Sequence, residues 1–97
     1  MTKLEKQIWL WHVECYGPGV DIPATYRKLL EEVGELGEAL MLGDAEDVVL
    51  EAGDCAVLLL TLLRGHGCKS LGTALGRVFD KLELRRLESA AKEKSNG

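Results

Sequence analysis

The sequence predicts an all-α protein, a bundle of four helices, and three observations support this prediction. Apolar residues recur at three- and four-residue intervals along four stretches of helical length. No stretch shows the alternation of a half-buried strand. Glycine-containing turn signals separate the stretches at residues 17–19, 43–44 and 65–67. Because these connections are short, neighbouring helices should run roughly antiparallel.

The four predicted helices cover about residues 2–16, 23–42, 45–64 and 70–92. Pro23 suits the first turn of the second helix, and Ser70 can cap the fourth. The apolar stripe of the first helix consists of Leu4, Ile8, Trp11 and Cys15. That of the second consists of Leu29, Val33, Leu36 and Leu40. We therefore expect one helical domain over residues 1–92 and a polar tail over residues 93–97.

Composition excludes several classes of protein. The chain has 97 residues, enough for one domain, and a net charge of -4. Nucleic-acid-binding domains usually present a basic face, so we expect no nucleic-acid partner. The three cysteines include no CxxC pair. That pattern argues against a disulfide framework or a cysteine zinc site and favours a reducing cytosol.

The apolar stretches predict neither a leader nor a membrane span. The longest one, residues 48–63, is interrupted by Glu51 and Asp54 and is shorter than the roughly 20 residues that cross a bilayer. No charged leader precedes a short apolar core, so no signal peptide is visible. We expect a cytoplasmic protein without a membrane partner.

The third helix is apolar nearly all round, and a helix of that kind must be covered on every side. One chain of this length can hardly provide that cover. We therefore expect a homo-oligomer, a dimer at least, with dimer and tetramer both open.

Acidic residues on the second helix divide between two faces. At about 100° per residue, Glu32 and Glu35 lie together at the edge of the apolar stripe. Glu31 and Glu38 point to the far side, toward water. Acid pairs on helices usually belong to a solvated face, and this interpretation stays open for Glu32 and Glu35.

The third helix gives the stronger indication, because Glu51 and Asp54 are its only acids between residues 48 and 63. Burial of one unpaired carboxylate is costly, and burial of two is worse because they repel. The helix has no basic residue to neutralise them before Arg64. With Glu32 and Glu35 they would form an all-oxygen site. Such a site suits magnesium or manganese rather than zinc.

The order EExxE, spacer, ExxD resembles the signature of the MazG-like, all-α nucleoside triphosphate pyrophosphohydrolase superfamily. Here the two halves stand at residues 31–35, EEVGE, and 51–54, EAGD. Their surroundings also fit, with LLEEVGELGEAL before the spacer and CAVLLLTLL after it. The resemblance covers about residues 4–86 and implies a MazG-like four-helix fold. The superfamily also includes dimeric dUTPases, dCTP pyrophosphatases and phosphoribosyl-ATP pyrophosphohydrolase.

The resemblance implies a nucleoside triphosphate substrate, cut by a metal-activated water to a monophosphate and pyrophosphate. It implies magnesium as cofactor, for which manganese can substitute. The implied ligands are Glu32, Glu35, Glu51 and Asp54. Of these, Glu32 or Glu35 would act catalytically by orienting or deprotonating the water.

The resemblance also implies phosphate contacts from the last helix and base contacts from the first. Lys81 and Arg85 share a face and would contact phosphates, although surface pairing with neighbouring glutamates is an equal alternative. Trp9 and His12 are candidate base contacts, with a place in a subunit interface as the alternative for Trp9 and a structural role as the alternative for His12. Trp11 lies on the apolar stripe and is expected in the core.

Three functions remain open. The favoured one is removal of a canonical or damaged nucleotide by pyrophosphohydrolysis. The second is phosphoribosyl-ATP hydrolysis, which would share the fold and the metal site. The third is a helical interaction module whose acids are only a solvated surface. The third helix distinguishes them, since an adaptor has no reason to bury Glu51 and Asp54.

Overall fold

A computed structural model describes residues 1–96, and it contains four α-helices: α1 (Lys3–Tyr16), α2 (Ile22–Leu42), α3 (Ala45–Gly65) and α4 (Leu71–Asn96). Those residues include no β-strand, so the predicted all-α class is confirmed. All three predicted breaks coincide with the connections between helices. α4 continues to Asn96, through most of the segment predicted as a tail, and Glu93 and Lys94 at the start of that segment are good helix formers. Gly97, the end of that predicted tail, lies outside the described residues.

Local signals in the loops set where the helices begin and end. Gly43 ends α2 in the left-handed conformation, with φ 73° and ψ 20°, which costs glycine little. Asp44 then caps α3 by accepting the amide hydrogens of Glu46 and Asp47 at 3.1 and 3.2 Å. The predicted cap of α4 is confirmed, since Ser70 Oγ accepts the amide hydrogen of Thr73 at 3.0 Å.

α2 and α3 form a helical hairpin with the most extensive packing in the molecule, and α1 and the start of α4 lie against α3. Among the described residues, the buried apolar side chains are Ala39, Cys55 and Leu60. α1 is tied to α4 by a carboxylate, because Glu5 Oε1 accepts the amide hydrogen of Leu71 at 2.6 Å. The hairpin is therefore the packed part of the chain.

α4 projects from the hairpin. Its residues from 75 to 95 are exposed except for Glu83, which is half-buried. One face of α4 carries an apolar stripe made of Leu75, Val78, Phe79 and Leu82. The radius of gyration is 17.5 Å, whereas a compact domain of about 100 residues has about 13 Å. The four helices thus do not close into a compact bundle within one chain.

α1 does not bury the stripe that its sequence predicts. Ile8 is half-buried, but Leu4, Trp11 and Cys15 are exposed. α1 instead places Glu5 in a buried position, where its carboxylate accepts backbone hydrogens at the starts of two helices. The expectation that Trp11 packs in the core is wrong for this chain, since its side chain is 54% exposed.

No helix within residues 1–96 is both long enough and apolar enough to cross a membrane.

Candidate active site

Three carboxylates meet between α2 and α3. Glu32 and Glu35 lie one turn apart on the same face of α2, and Glu51 faces them from α3. One oxygen of each lies within 4.8 Å of the others. Glu32 is only 7% exposed, Glu51 is half-buried and Glu35 is exposed. The hairpin therefore brings together three of the four predicted metal ligands.

Two oxygen atoms of this cluster have no partner. Glu32 Oε2 and Glu51 Oε2 are buried, and neither has a hydrogen-bond partner among the described residues. A buried, unpaired carboxylate oxygen costs free energy, and repulsion between adjacent carboxylates adds to that cost. The arrangement is thus unfavourable unless a proton or a cation enters the cluster.

The carboxylates perturb one another's titration. Burial, followed by the charge of Glu35, raises the pKa of Glu51. The hydrogen bond with Glu32 and then the charge of Glu32 raise the pKa of Glu35. Burial acts to raise the pKa of Glu32, but contacts with Glu35 and Lys28 outweigh it, so that the pKa of Glu32 is lowered. Without a cation, the cluster retains a proton above the pH at which a free glutamate loses it.

Lys28 is the basic residue that sequence reasoning missed. Its Nζ lies 3.3 Å from Glu32 Oε1 and 3.4 Å from Glu31 Oε2. These contacts, led by the hydrogen bond to Glu32, raise the pKa of Lys28. The signal was present in the sequence, because a lysine four residues before a glutamate shares its face of the helix.

Asp54, the fourth predicted ligand, is exposed and lies one turn after Glu51 on α3. It lines the same cavity as Glu32 but does not belong to the three-carboxylate group found among the described residues. Glu31 and Glu38 are exposed, as their position on the helical wheel predicted.

The donor set fits a hard divalent cation. All donors are carboxylate oxygens, which magnesium and manganese prefer, and no histidine or cysteine belongs to the group. The two unpartnered buried oxygens are the atoms that a cation would satisfy. Three carboxylates against one lysine leave the cluster negatively charged.

A cavity of about 580 Å³ opens beside this cluster. Its wall includes Trp11, His12 and Tyr16 of α1, Lys28 and Glu32 of α2, and Asp54 of α3. The rings of Trp11 and Tyr16 meet edge to face, with centroids 6.0 Å apart and planes at 84°. The wall of the cavity therefore combines acidic and aromatic side chains, which suits a ligand with a phosphate chain and a flat ring.

The two predicted base contacts have different surroundings. The guanidinium of Arg64 lies over the Trp9 ring, 4.5 Å from its centroid. His12 also stacks on Trp9, with centroids 5.0 Å apart, and its Nε2 lies 3.4 Å from the carbonyl oxygen of Gly19. His12 lines the cavity, whereas Trp9 is not among the described residues of its wall. Trp11, which was expected in the core, lines the cavity with an exposed ring.

The predicted phosphate contacts lie apart from the cavity. Lys81 and Arg85 are exposed on the projecting part of α4, and neither lines the cavity. The ion pair found on this part of α4 joins Arg86 Nη2 to Glu83 Oε1 at 2.6 Å. Exposed pairs of this kind contribute little to stability.

Comparison with known proteins gives one relative. A phosphoribosyl-ATP pyrophosphatase from Methanopyrus kandleri (strain AV19) is 44% identical over 59 residues. The match covers 61% of this chain and 54% of the relative, so the chain spans about half the length of the curated protein that it matches. No family model matches the sequence. No solved structure matches it either. The similarity is compatible with the broader superfamily that the motifs resemble.

Proposed function

We propose that this chain is a magnesium-dependent nucleotide pyrophosphohydrolase that cuts a nucleoside triphosphate to a monophosphate and pyrophosphate. The observation that carries the proposal is the pair of buried, unpartnered oxygens on Glu32 and Glu51 within a three-carboxylate group. A helical interaction module would have no use for such a destabilising cluster between its two best-packed helices.

The similarity to a protein named phosphoribosyl-ATP pyrophosphatase supports a hydrolase of this broad kind. It also makes phosphoribosyl-ATP the second candidate substrate. Both candidates contain a phosphate chain attached to a nucleoside, so the same cluster and cavity serve either one.

We assign the cation to Glu32, Glu35 and Glu51, with Asp54 completing the set from the adjacent turn of α3. When bound, a divalent cation in such a site activates a water molecule and clamps phosphate oxygens. Glu35 is the member of the cluster that reaches solvent, and we assign it the orientation of the attacking water. Glu32 is buried and serves to hold the cation.

We assign the base of the nucleotide to the part of the cavity wall that α1 supplies. Trp11 offers an exposed ring on which a base can stack, and His12 offers a ring nitrogen beside it. Trp9 contributes indirectly, because it holds the imidazole of His12 by stacking.

We also propose self-association. The described residues bury few apolar side chains, and α4 presents an uncovered apolar stripe. A second apolar groove of about 430 Å³, lined in part by Leu4 and Leu50, opens between α1 and α3. Contiguous exposed apolar surface is typical of subunit interfaces.

The test is hydrolysis of a panel of ribo- and deoxyribonucleoside triphosphates, together with phosphoribosyl-ATP, in the presence of magnesium. Pyrophosphate should be released, and a chelator should abolish its release. Glu51→Gln and Asp54→Asn should abolish turnover and keep the helical circular-dichroism spectrum. Glu38→Gln, a change of an exposed glutamate on α2, should leave the rate unchanged. Turnover that persists in Glu51→Gln, or with chelator, would refute the proposed site.

A further inference from the structure

We propose that Lys28 is a phosphate-binding residue, whose ammonium group binds an oxygen of the substrate's phosphate chain next to the cation. This inference rests on the proposed function and adds to it a residue on α2. Neither EExxE nor ExxD contains Lys28.

The position of Lys28 is the first argument. It lines the cavity together with Glu32 and Asp54, and its ammonium lies 3.3 Å from Glu32 Oε1, beside the proposed cation site where the phosphate chain would lie. Its side chain is 56% exposed, which leaves the long stem free to change direction. An ammonium group has three hydrogens to donate, and the contacts with Glu31 and Glu32 use two of them.

Charge is the second argument. Four carboxylates belong to the proposed site: Glu32 and Asp54 line the cavity, and Glu35 and Glu51 lie next to Glu32. One divalent cation offsets only two negative charges. A phosphate chain adds further negative charge, which the cavity must balance. Among the described residues that line it, Lys28 is the only lysine or arginine. The candidates on α4 lie elsewhere in the chain.

Together these observations assign Lys28 one partner when the cation is absent and another when it is bound. Without a cation, its ammonium offsets the charge of Glu32. When a cation binds Glu32, like charges repel and the carboxylate is occupied, so the ammonium turns to a phosphate oxygen. Lys28 should therefore oppose the binding of magnesium alone and favour the binding of phosphate after magnesium. These opposite effects distinguish a phosphate contact from a residue that only holds Glu32 in place.

The experiment is calorimetric titration of the full chain, first with magnesium and then with pyrophosphate at saturating magnesium. For Lys28→Gln we expect unchanged or tighter magnesium binding and about 10- to 100-fold weaker pyrophosphate binding, the usual effect of losing a charged hydrogen bond. Lys28→Arg keeps the charge and should restore most of the pyrophosphate affinity. Arg27→Gln is the matched control, because Arg27 is the adjacent exposed cation on α2 and does not line the cavity.

Three results would overturn the proposal. One is unchanged pyrophosphate affinity in Lys28→Gln. Another is an equal loss of magnesium and pyrophosphate affinity, which would show that Lys28 only positions Glu32. The third is loss of pyrophosphate affinity in Lys81→Gln but not in Lys28→Gln, which would move the contact to α4. Because binding is measured without turnover, Lys28-dependent pyrophosphate binding in a chain that hydrolyses no nucleotide would refute only the proposed function.

Discussion

Glu51→Gln should change the stability of the protein in opposite directions with and without magnesium. The substitution keeps the shape of the side chain and removes one of three charges whose oxygens lie within 4.8 Å of one another. In a chelating buffer the variant should melt at a higher temperature than the wild type, because repulsion and the burial of a charge are relieved. In magnesium the order should reverse, because the variant has lost a ligand.

The magnitude follows from mass action. At a magnesium concentration 100 times its dissociation constant, the wild type gains about 2.7 kcal/mol of stability, or roughly 10–20 °C in Tm for a domain of this size. Loss even of an outer partner of a metal ligand weakens binding about 10- to 100-fold. At the same magnesium concentration, a 100-fold weaker site gains only about 0.4 kcal/mol.

Differential scanning calorimetry at several magnesium concentrations measures both effects. Glu38→Gln is the control, since it removes an exposed charge outside the cluster and should follow the wild type throughout. Equal magnesium-induced shifts in the wild type and in Glu51→Gln would show that Glu51 is not a ligand. A metal-free variant that melts below the wild type would contradict the electrostatic account of the cluster.

Three further predictions concern pH, core and helix contacts. Because the pKa of Glu51 is raised, this group does not destabilise the metal-free wild type below about pH 4.5, and it destabilises the protein progressively as pH rises through the folded-state pKa. Melting curves recorded at several pH values should therefore show the higher Tm of metal-free Glu51→Gln only above about pH 4.5. Leu60→Ala should lower the free energy of unfolding by about 2–5 kcal/mol in urea titrations, because Leu60 is 1% exposed. Leu59→Ala, at the adjacent and exposed position, should lower it much less, and an equal loss would mean that Leu59 is covered in solution. Backbone hydrogen bonds, first from Thr2 and then from Leu71, lower the pKa of Glu5, so this carboxylate stabilises the fold above about pH 4.5 and ceases to do so as pH falls through the lowered pKa. Glu5→Ala should make the stability less sensitive to acid, and an unchanged midpoint of acid unfolding would contradict this role.

The helices and loops could be predicted because their signals are local. The left-handed residue at Gly43 and the cap at Ser70 are set by neighbours in the chain. The burial of α1 could not be predicted in the same way. Periodicity identifies an apolar stripe but not the surface that covers it, and the stripe containing Leu4 and Trp11 is exposed in a single chain.

The candidate site, too, was predicted where helical spacing determines it and missed where contacts do not follow from spacing. Helical spacing placed Glu32 beside Glu35, and the apolar setting of Glu51 indicated that it would face them. Lys28 was missed, although it stands four residues before Glu32, because a lysine on a polar face has many possible partners. The contact of Trp9 with Arg64 was not predicted either, because it is a tertiary contact that spacing does not encode.

The helices that hold the three-carboxylate group pack more extensively than the helix that supplies the aromatic wall of the cavity. The cluster lies between α2 and α3, the helices with the most extensive contact, so its three carboxylates are held whether or not α4 is covered. The aromatic wall comes from α1, where Trp11 and Tyr16 are more than half exposed. Burial of the outer face of α1 in a subunit interface would fix these rings and exclude water from the part of the cavity that they line. We therefore expect the proposed cation site to form within a single chain and the shape of the proposed base site to depend on self-association.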